Sequence, residues 1–218
     1  MKMLTKRIVV KLLVEGQQLV KYRKFTERKR IAGDPVSTVG VLEDAKLDEF
    51  YICALNTISP DMVKSMTDKI YTPVTAAGSI HCIEQVDQLI KGSGVDKVVI
   101  KRLKLAEEVA KRYGSQAVIK AIDYHNECVE DVPDCYGEVI LTSIDRDGMG
   151  TGFDLKALKR KWRIPVILAG GCGALFHVKE AFDAGADGVC ISSMFFFSDK
   201  NPIKLRSWLI SSGVNVRA

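Results

Sequence analysis

Two short segments rich in glycine and serine could hold a phosphate group. They are Ala169-Gly170-Gly171-Cys172-Gly173 and Ile191-Ser192-Ser193-Met194, and each ends a short apolar run. Glycine lets the backbone approach an anion closely, and backbone N–H groups and a serine hydroxyl donate well to phosphate oxygens. If the two apolar runs are neighbouring parallel strands, these loops meet and form a phosphate cradle. The alternative is a pair of tight strand-to-helix turns without a ligand.

Carboxylates follow two other apolar runs. Asp123 comes after Ala121-Ile122, and Asp145-Arg146-Asp147-Gly148 follows the run 138–143. At the carboxyl end of a barrel strand, a carboxylate could move protons during a ring closure or an elimination. The alternatives are a loop residue that caps local backbone, for Asp123, and a salt-bridged turn for the second segment.

A weaker anion site is suggested earlier in the chain. Ala77-Gly78-Ser79 offers one glycine, and Lys101-Arg102 ends the next apolar run. Two cations could hold an anion as point charges or as a fork. The alternative is a vestigial site whose cations face solvent.

Four charged residues stand at the starts of apolar runs: Arg7, Glu49, Lys97 and Glu138. Two cations and two anions at one mouth of a barrel are costly to bury unless they pair, so a closed ring of salt bridges is expected. Such a ring could be a structural plug or a gate into the barrel axis. The residues alone favour the plug.

The elements that must position these residues are short runs rich in Val and Ile, as in parallel strands buried on both faces. The predicted strands are 7–14, 49–55, 72–77, 96–100, 117–122, 138–143, 165–169 and 187–191. Helical patterns lie between them at 35–45, 59–69, 81–91, 103–113, 154–162, 175–184 and 202–212. The segment 124–137 is barely long enough for a crossover helix, so the fifth helix is expected to be shortened or missing.

An internal repeat favours a barrel over an open doubly wound sheet. Residues 72–79, Thr-Pro-Val-Thr-Ala-Ala-Gly-Ser, resemble residues 164–171, Ile-Pro-Val-Ile-Leu-Ala-Gly-Gly, and 94–100 resemble 185–191. Two half-barrels of four βα units explain this spacing. We therefore expect an α/β fold, a (βα)8 TIM barrel with a two-fold half-barrel repeat, as one domain over residues 1–218.

Composition narrows the functional classes. The net charge is +5, 47% of residues are apolar, and no run reaches the roughly 18 apolar residues of a membrane span, so a cytoplasmic protein is expected. The six cysteines lack zinc spacing and the three histidines are scattered, so neither a metal nor a cofactor is expected. The basic run 21–30 could serve a phosphorylated substrate or nucleic acid, or be a solvated loop. Nucleic acid is the least favoured partner.

Several stretches resemble the HisF-type cyclase subunit of imidazole glycerol phosphate synthase, the barrel of histidine biosynthesis. The resemblance covers nearly the whole chain. Its carrying segments are Leu4-Thr5-Lys6-Arg7-Ile8-Val9, Gly33-Asp34-Pro35-Val36, Gly114-Ser115-Gln116-Ala117-Val118, Leu141-Thr142-Ser143-Ile144-Asp145-Arg146-Asp147-Gly148, Ala169-Gly170-Gly171 and Gly213-Val214-Asn215-Val216-Arg217.

The resemblance implies a lyase-type synthase within a glutamine amidotransferase complex. A glutaminase partner of the HisH type docks on the N-terminal face, and ammonia crosses the barrel to a ribulosyl-phosphate substrate. Arg7, Glu49, Lys97 and Glu138 match the family's gate, which reverses the preference for a plug. Asp123 matches one of two catalytic aspartates. The positions that match substrate and phosphate contacts are Lys21, Thr142, Asp147, Gly148, Gly170, Gly171, Ser192 and Ser193.

The chain departs from the family pattern in its first half. The pattern Cys-Leu-Asp-Val is here Lys11-Leu12-Leu13-Val14, so Leu13 replaces the other catalytic aspartate, and Ala54 stands where the second strand normally ends in aspartate. Lys101-Arg102 replaces Asn-Thr. A leucine cannot transfer a proton. Leu13, followed by Leu19-Val20-Lys21, also resembles a paralogous group found with surface-polysaccharide genes. That resemblance implies the alternative function, a diverged ammonia conduit that serves a sugar-amidating enzyme of surface-polysaccharide biosynthesis.

Overall fold

A computed structural model describes residues 5–128 and 130–217, so residues 1–4, 129 and 218 of the expected domain lie outside the described residues. In these ranges the chain forms ten strands: β1 Arg7–Glu15, β2 Gln18–Arg23, β3 Glu27–Gly33, β4 Glu49–Ala54, β5 Val74–Ala77, β6 Lys97–Val99, β7 Val118–Tyr124, β8 Glu138–Ser143, β9 Val166–Ala169 and β10 Gly188–Ile191. The α-helices are α1 Pro35–Glu43, α2 Pro60–Thr67, α3 Ile83–Asp87, α4 Leu103–Tyr113, α5 Leu175–Asp183, α6 Ser193–Phe196 and α7 Pro202–Ser211.

Eight parallel strands close into a barrel. Strands β4 to β10 pair in sequence order, and β1 pairs with both β4 and β10. Successive side chains of a strand point to opposite faces, so Val9 faces the barrel interior while Ile8 and Val10 pack outward with the main core. All six residues of β8 are buried, as expected where helices and lumen cover both faces. The predicted (βα)8 barrel is confirmed.

The two halves share a local motif at the strand starts. The Asp96 carboxylate accepts from the backbone N–H of Val74 at 2.8 Å, and the Asp187 carboxylate accepts from Val166 at 2.9 Å. In each pair the aspartate's own N–H donates back to the partner carbonyl at 2.9 Å. These positions occupy equivalent places in the two half-barrels, in agreement with the repeat in the sequence.

The segment between β7 and β8 contains no helix in its described residues, as the sequence predicts. Tyr136 packs there instead, 1% exposed, with the Lys120 ammonium 5.7 Å from its ring centre. Lys120 also pairs with Glu130 at 2.5 Å. This irregular segment therefore covers the outer face of β7 where other connections place a helix.

A Tyr136→Phe variant is expected to raise the free energy of unfolding by about 1 kcal/mol. The Tyr136 hydroxyl is buried without a hydrogen-bond partner in the described structure, so removing it removes a desolvation penalty. Urea unfolding would measure this, with Tyr71→Phe as the control because Tyr71 is 98% exposed. A loss of stability in Tyr136→Phe would show that the Tyr136 hydroxyl has a hydrogen-bond partner in the folded protein.

The helix predicted at 154–162 is wrong. The chain forms only a 3₁₀ turn at Leu155–Leu158, capped by Asp154. The Trp162 indole N–H donates to the Ala157 carbonyl at 3.0 Å, an acceptor that a continuing α-helix would use. Like charges four residues apart in the run 156–163 also disfavour helix.

The basic run 21–30 is a hairpin, so the interpretation as a loop is wrong. Strand β2 continues antiparallel from β1, with Val14 opposite Leu19, and β3 pairs with β2. Leu19 and Val20 are buried and anchor β2 to the core. Phe25 sits in the hairpin turn with a φ of 69°, which brings its ring to the carboxyl-end mouth of the barrel.

Candidate active site

The four charged strand-start residues form a closed ring at the amino-end mouth, hereafter the charge ring. Lys97 Nζ lies 2.8 Å from Glu49 Oε2 and 3.2 Å from Glu138 Oε2. Arg7 lies 3.3 Å from Glu49 Oε2 and also pairs with Glu138. The Thr75 hydroxyl donates to Glu49 Oε1 at 2.6 Å. Cations and anions alternate, so each charge has two opposite neighbours.

Burial makes this pairing necessary. The Glu49 side chain is 2% exposed and that of Glu138 is 7% exposed. Burial opposes the charge on Arg7, but the hydrogen bond to Glu138 and the nearby Glu49 outweigh it, so the pKa of Arg7 is raised. The ring is thus a fixed charged structure, and not a set of solvated side chains.

Above the charge ring the barrel interior is apolar. A cluster separate from the main core fills it: Val9, Tyr51, Ala77, Val99, Ile119, Ile140, Ile167, Ala169 and Cys190. Burial raises the pKa of the Cys190 thiol to about 12, so it is neutral at physiological pH. The interior therefore changes from charged at one mouth to apolar along the axis.

At the carboxyl-end mouth lies a cavity of about 410 Å³, hereafter the large cavity. Asp123 and Leu13 both line it. Lys101 Nζ lies 3.2 Å from Asp123 Oδ2, and Arg102 donates to the His81 carbonyl at 3.4 Å. The predicted proton-transfer carboxylate therefore faces a ligand-sized space, with a leucine in the same wall.

The glycine and serine loops meet beside the large cavity, as the sequence predicts. They surround a cavity of about 20 Å³, hereafter the small cavity. Its lining includes Gly148, Gly170, Gly171, Ser192 and Ser193. Lys11, Lys21 and Asp147 line both cavities, so the two spaces share a wall. Thr142 is buried on β8 and lines neither cavity.

Glycine is required where these loops turn. Gly170 has a φ of 84° and Gly171 a φ of 99°, conformations that side chains disfavour. A Cβ on Gly170 would lie 2.7 Å from the Ser143 carbonyl, and one on Gly171 would lie 2.1 Å from the Gly152 carbonyl. The backbone of this loop therefore packs directly against the end of β8 and against the loop that contains Gly152.

We expect Gly171→Ala to lower the free energy of unfolding by about 3 kcal/mol, because the methyl group overlaps a backbone carbonyl and φ is positive. Gly16→Ala is the matched control, with a φ of 61° but no atom within 4 Å of the added carbon. It should cost only about 1–2 kcal/mol. Equal losses in the two variants on urea unfolding would show that close packing does not constrain Gly171.

Lys21 and Asp147 form a buried ion pair in the wall between the two cavities. Lys21 Nζ lies 3.1 Å from Asp147 Oδ1 and 3.3 Å from Oδ2. The side chains are only 7% and 8% exposed. Burial lowers the pKa of Lys21 even though Asp147 opposes that shift. Lys21, which the sequence predicted as a site residue, thus lies at the site with its charge balanced by the Asp147 carboxylate.

Lys11 is a cavity residue that the sequence-based prediction missed. It lies on β1 in the inward row with Val9 and Leu13, and the rings of Tyr51 and Phe25 flank its ammonium. The sequence did contain a signal for Lys11, because a lysine within a strand that is buried on both faces needs a polar environment for its ammonium. The alternation of β1 turns Lys11 to the barrel interior, and the structure places its side chain at the carboxyl-end mouth.

Metal and membrane features are not found in the described ranges. No three His, Cys, Asp or Glu side chains within residues 5–128 and 130–217 cluster as metal ligands. No helix in those same ranges has the length and apolar character needed to cross a bilayer.

A closed ring of eight parallel strands, with polar side chains and glycine loops gathered around two cavities at its carboxyl end, defines a (βα)8-barrel protein. The model of the histidine biosynthesis protein family matches residues 6–201. The chain belongs to this family and is of its HisF type.

Relatives are similar over nearly the whole chain. The imidazole glycerol phosphate synthase subunit HisF of Campylobacter concisus (strain 13826) is 32% identical, with 97% of this chain and 98% of the relative covered. That of Thermotoga sp. (strain RQ2) is 33% identical, with 99% and 98% covered. A Prochlorococcus marinus (strain MIT 9313) protein, described provisionally as subunit hisF2 of the same synthase, is 32% identical, with 91% and 90% covered.

These alignments also show that the chain is shorter than its relatives. The alignment with the Thermotoga relative spans 251 positions, whereas this chain has 218 residues, so the relative carries segments that this chain lacks.

Proposed function

We propose that the chain is the ammonia-using synthase subunit of a glutamine amidotransferase complex of the imidazole glycerol phosphate synthase type. The observation that carries the proposal is that the two mouths of the barrel differ, with the charge ring at one mouth and a substrate-sized cavity at the other. An apolar interior lies between them. Whole-chain similarity to HisF subunits supports the same function.

In this proposal a HisH-type glutaminase docks on the amino-end face and releases ammonia at the charge ring. Ammonia is neutral and small, so the apolar interior suits its passage better than that of ammonium, which is costly to desolvate. Rearrangement of one ion pair, such as that between Lys97 and Glu138, would open the axis. The four residues of the charge ring thereby act as the ammonia gate.

The substrate is a ribulosyl phosphate held at the carboxyl-end mouth. Its phosphate is bound by the backbone of Gly170 and Gly171 and by the serine loop at Ser192-Ser193. The wall of this phosphate site includes Lys21, Asp147 and Gly148. Thr142 is buried on β8 and supports that wall without lining the cavity. Ammonia adds to the substrate, and Asp123 transfers protons during ring closure and cleavage. The products are imidazole glycerol phosphate and an aminoimidazole carboxamide ribotide.

Turnover with ammonium salt tests this function. The purified barrel and the ribulosyl substrate are mixed with ammonium, and loss of substrate absorbance is followed. Asp123→Asn is expected to lower the rate by about 10²–10⁴-fold, the usual contribution of proton transfer. Asp145→Asn is the control, since that carboxylate is exposed at the same mouth outside both cavities. No turnover above a heat-killed sample would contradict the synthase.

A second function, an ammonia conduit for another acceptor, is supported by Leu13. Leu13 lies in the wall of the large cavity, at a position where the family resemblance implies an aspartate, and Lys101 forms an ion pair with Asp123 in the same wall. Leu13→Asp separates the two functions. A synthase weakened by the missing carboxylate should gain turnover with ammonium, whereas a conduit should gain none and still stimulate a glutaminase. The sugar-amidating acceptor proposed from the sequence belongs to this second function.

A further inference from the structure

Lys11 lies at the boundary between the two cavities. It lines the large cavity and the small cavity alike, on the inward row of β1. Its ammonium is 5.6 Å from the centre of the Phe25 ring and 5.7 Å from that of Tyr51. Aromatic faces hold a cation without occupying its hydrogen-bond donors, so the donors of Lys11 stay available to a ligand.

The other lysines of the site are already paired with carboxylates. Lys21 pairs with Asp147 at 3.1 Å, and Lys101 pairs with Asp123 at 3.2 Å. Among the described residues, the Lys11 ammonium has no carboxylate within ion-pair distance. Lys11 is therefore the lysine whose charge gives this wall a net attraction for an anion.

The charge on Lys11 is retained in this setting. Burial opposes it, but nearby groups, Cys53 first and then others that include the carboxylates of Asp147 and Asp123, outweigh burial and raise the pKa of Lys11. A lysine that forms a Schiff base needs a lowered pKa, so that its amine is neutral. The surroundings of Lys11 suit a permanent cation that binds an anion.

Two departures from the family pattern on β1 both make the inward row of this strand more positive. Where the pattern has cysteine the chain has Lys11, and where it has aspartate the chain has Leu13. The first change adds a positive charge to the inward row and the second removes a negative one. With a lysine and a leucine on its inward row, β1 attracts negative charge at this mouth.

We propose that Lys11 is a phosphate-binding residue that this chain adds to the glycine and serine loops, and that it selects a phosphate monoester whose sugar portion occupies the large cavity. This inference rests on the phosphate site of the proposed function and goes beyond it in residue and in selectivity. A dianionic phosphate seated across the mouth of the small cavity would receive backbone N–H groups from one side and the Lys11 ammonium from the other.

Calorimetric titration with ribose 5-phosphate, inorganic phosphate and unphosphorylated ribose tests this role. The wild-type chain should bind ribose 5-phosphate most tightly, inorganic phosphate more weakly, and ribose not measurably. Lys11→Met should weaken ribose 5-phosphate binding by about tenfold to a hundredfold, the loss of one charge-assisted hydrogen bond. Lys64→Met removes the same charge from the exposed surface of α2 and should leave binding unchanged.

The outcomes separate this inference from the proposed function. Wild-type binding that persists at full strength in Lys11→Met would overturn the role of Lys11 and leave the phosphate site in place. No wild-type binding of either phosphate compound would overturn the phosphate site itself.

A second readout avoids dependence on the variant's folding. Biosynthetic incorporation of ¹³Cε-labelled lysine gives Lys11 an NMR signal without modifying its amine, and this signal should shift on addition of ribose 5-phosphate, whereas the Lys64 signal should not. An unmoved Lys11 signal at saturating ribose 5-phosphate would overturn the proposal.

Discussion

The Glu49→Ala variant should lose about 3–5 kcal/mol of unfolding free energy, the usual cost of breaking a buried ion pair from one side. Glu49 is 2% exposed and accepts from Arg7, Lys97 and Thr75. Its removal leaves Lys97 with a single carboxylate partner at the barrel mouth. Urea unfolding at neutral pH measures the loss, with Asp183→Ala as the control because Asp183 belongs to a surface pair.

A double variant distinguishes lost charge pairing from lost packing. Glu49→Leu combined with Lys97→Met removes an acid and a base together, so it leaves no orphaned charge of this pair. Its stability should exceed that of Glu49→Ala clearly, since apolar replacement of whole buried pairs is often neutral. If the double variant is as unstable as the single one, the ring does not act through charge pairing.

Asp147→Ala has the second large expected effect, again about 3–5 kcal/mol at neutral pH. It leaves the Lys21 ammonium buried without its carboxylate and with the like charge of Lys11 nearby. Asp68→Ala, which breaks the surface pair with Lys64, is the control and should leave stability unchanged within error. An equally small loss in Asp147→Ala would show that Lys21 finds another partner.

The loss in Asp147→Ala should shrink as pH rises. The pKa of Lys21 is lowered in the folded protein from its ordinary value of 10.5, and loss of Asp147 lowers it further. Between the folded pKa and 10.5 the unfolded chain binds more protons, so stability rises with pH in that window. Unfolding measured at neutral pH and again near pH 10 checks this sign. A loss that grows with pH would contradict a buried unpaired ammonium.

The barrel could be predicted because its strands obey one simple rule. Runs rich in Val and Ile, buried on both faces, mark all eight barrel strands to within a few residues. The charge ring followed from the same rule, because residues that begin parallel barrel strands must meet at one mouth. The repeat at 72–79 and 164–171 decided between a barrel and an open sheet.

Other features depend on contacts that the local pattern does not contain. The segment 154–162 has helical periodicity, yet Trp162 takes the Ala157 carbonyl and ends the turn. The hairpin was missed because β2 and β3 carry many charged residues, and only Leu19 and Val20 anchor them. Lys11 was missed because its role depends on where its ammonium lies in the folded barrel, which the local sequence pattern does not give. The roles of the individual site residues remain predictions.

The most direct test of the central claim is glutamine hydrolysis by a HisH-type glutaminase, measured with and without the barrel. The proposed function predicts a complex at micromolar concentrations and faster hydrolysis when the barrel is present. Glu138→Gln, which disrupts the charge ring, should change the amount of ammonia that crosses the barrel per glutamine hydrolysed. Asp183→Ala should leave this ratio unchanged. Absence of a complex, or hydrolysis at the same rate with and without the barrel, would contradict ammonia supply through the charge ring.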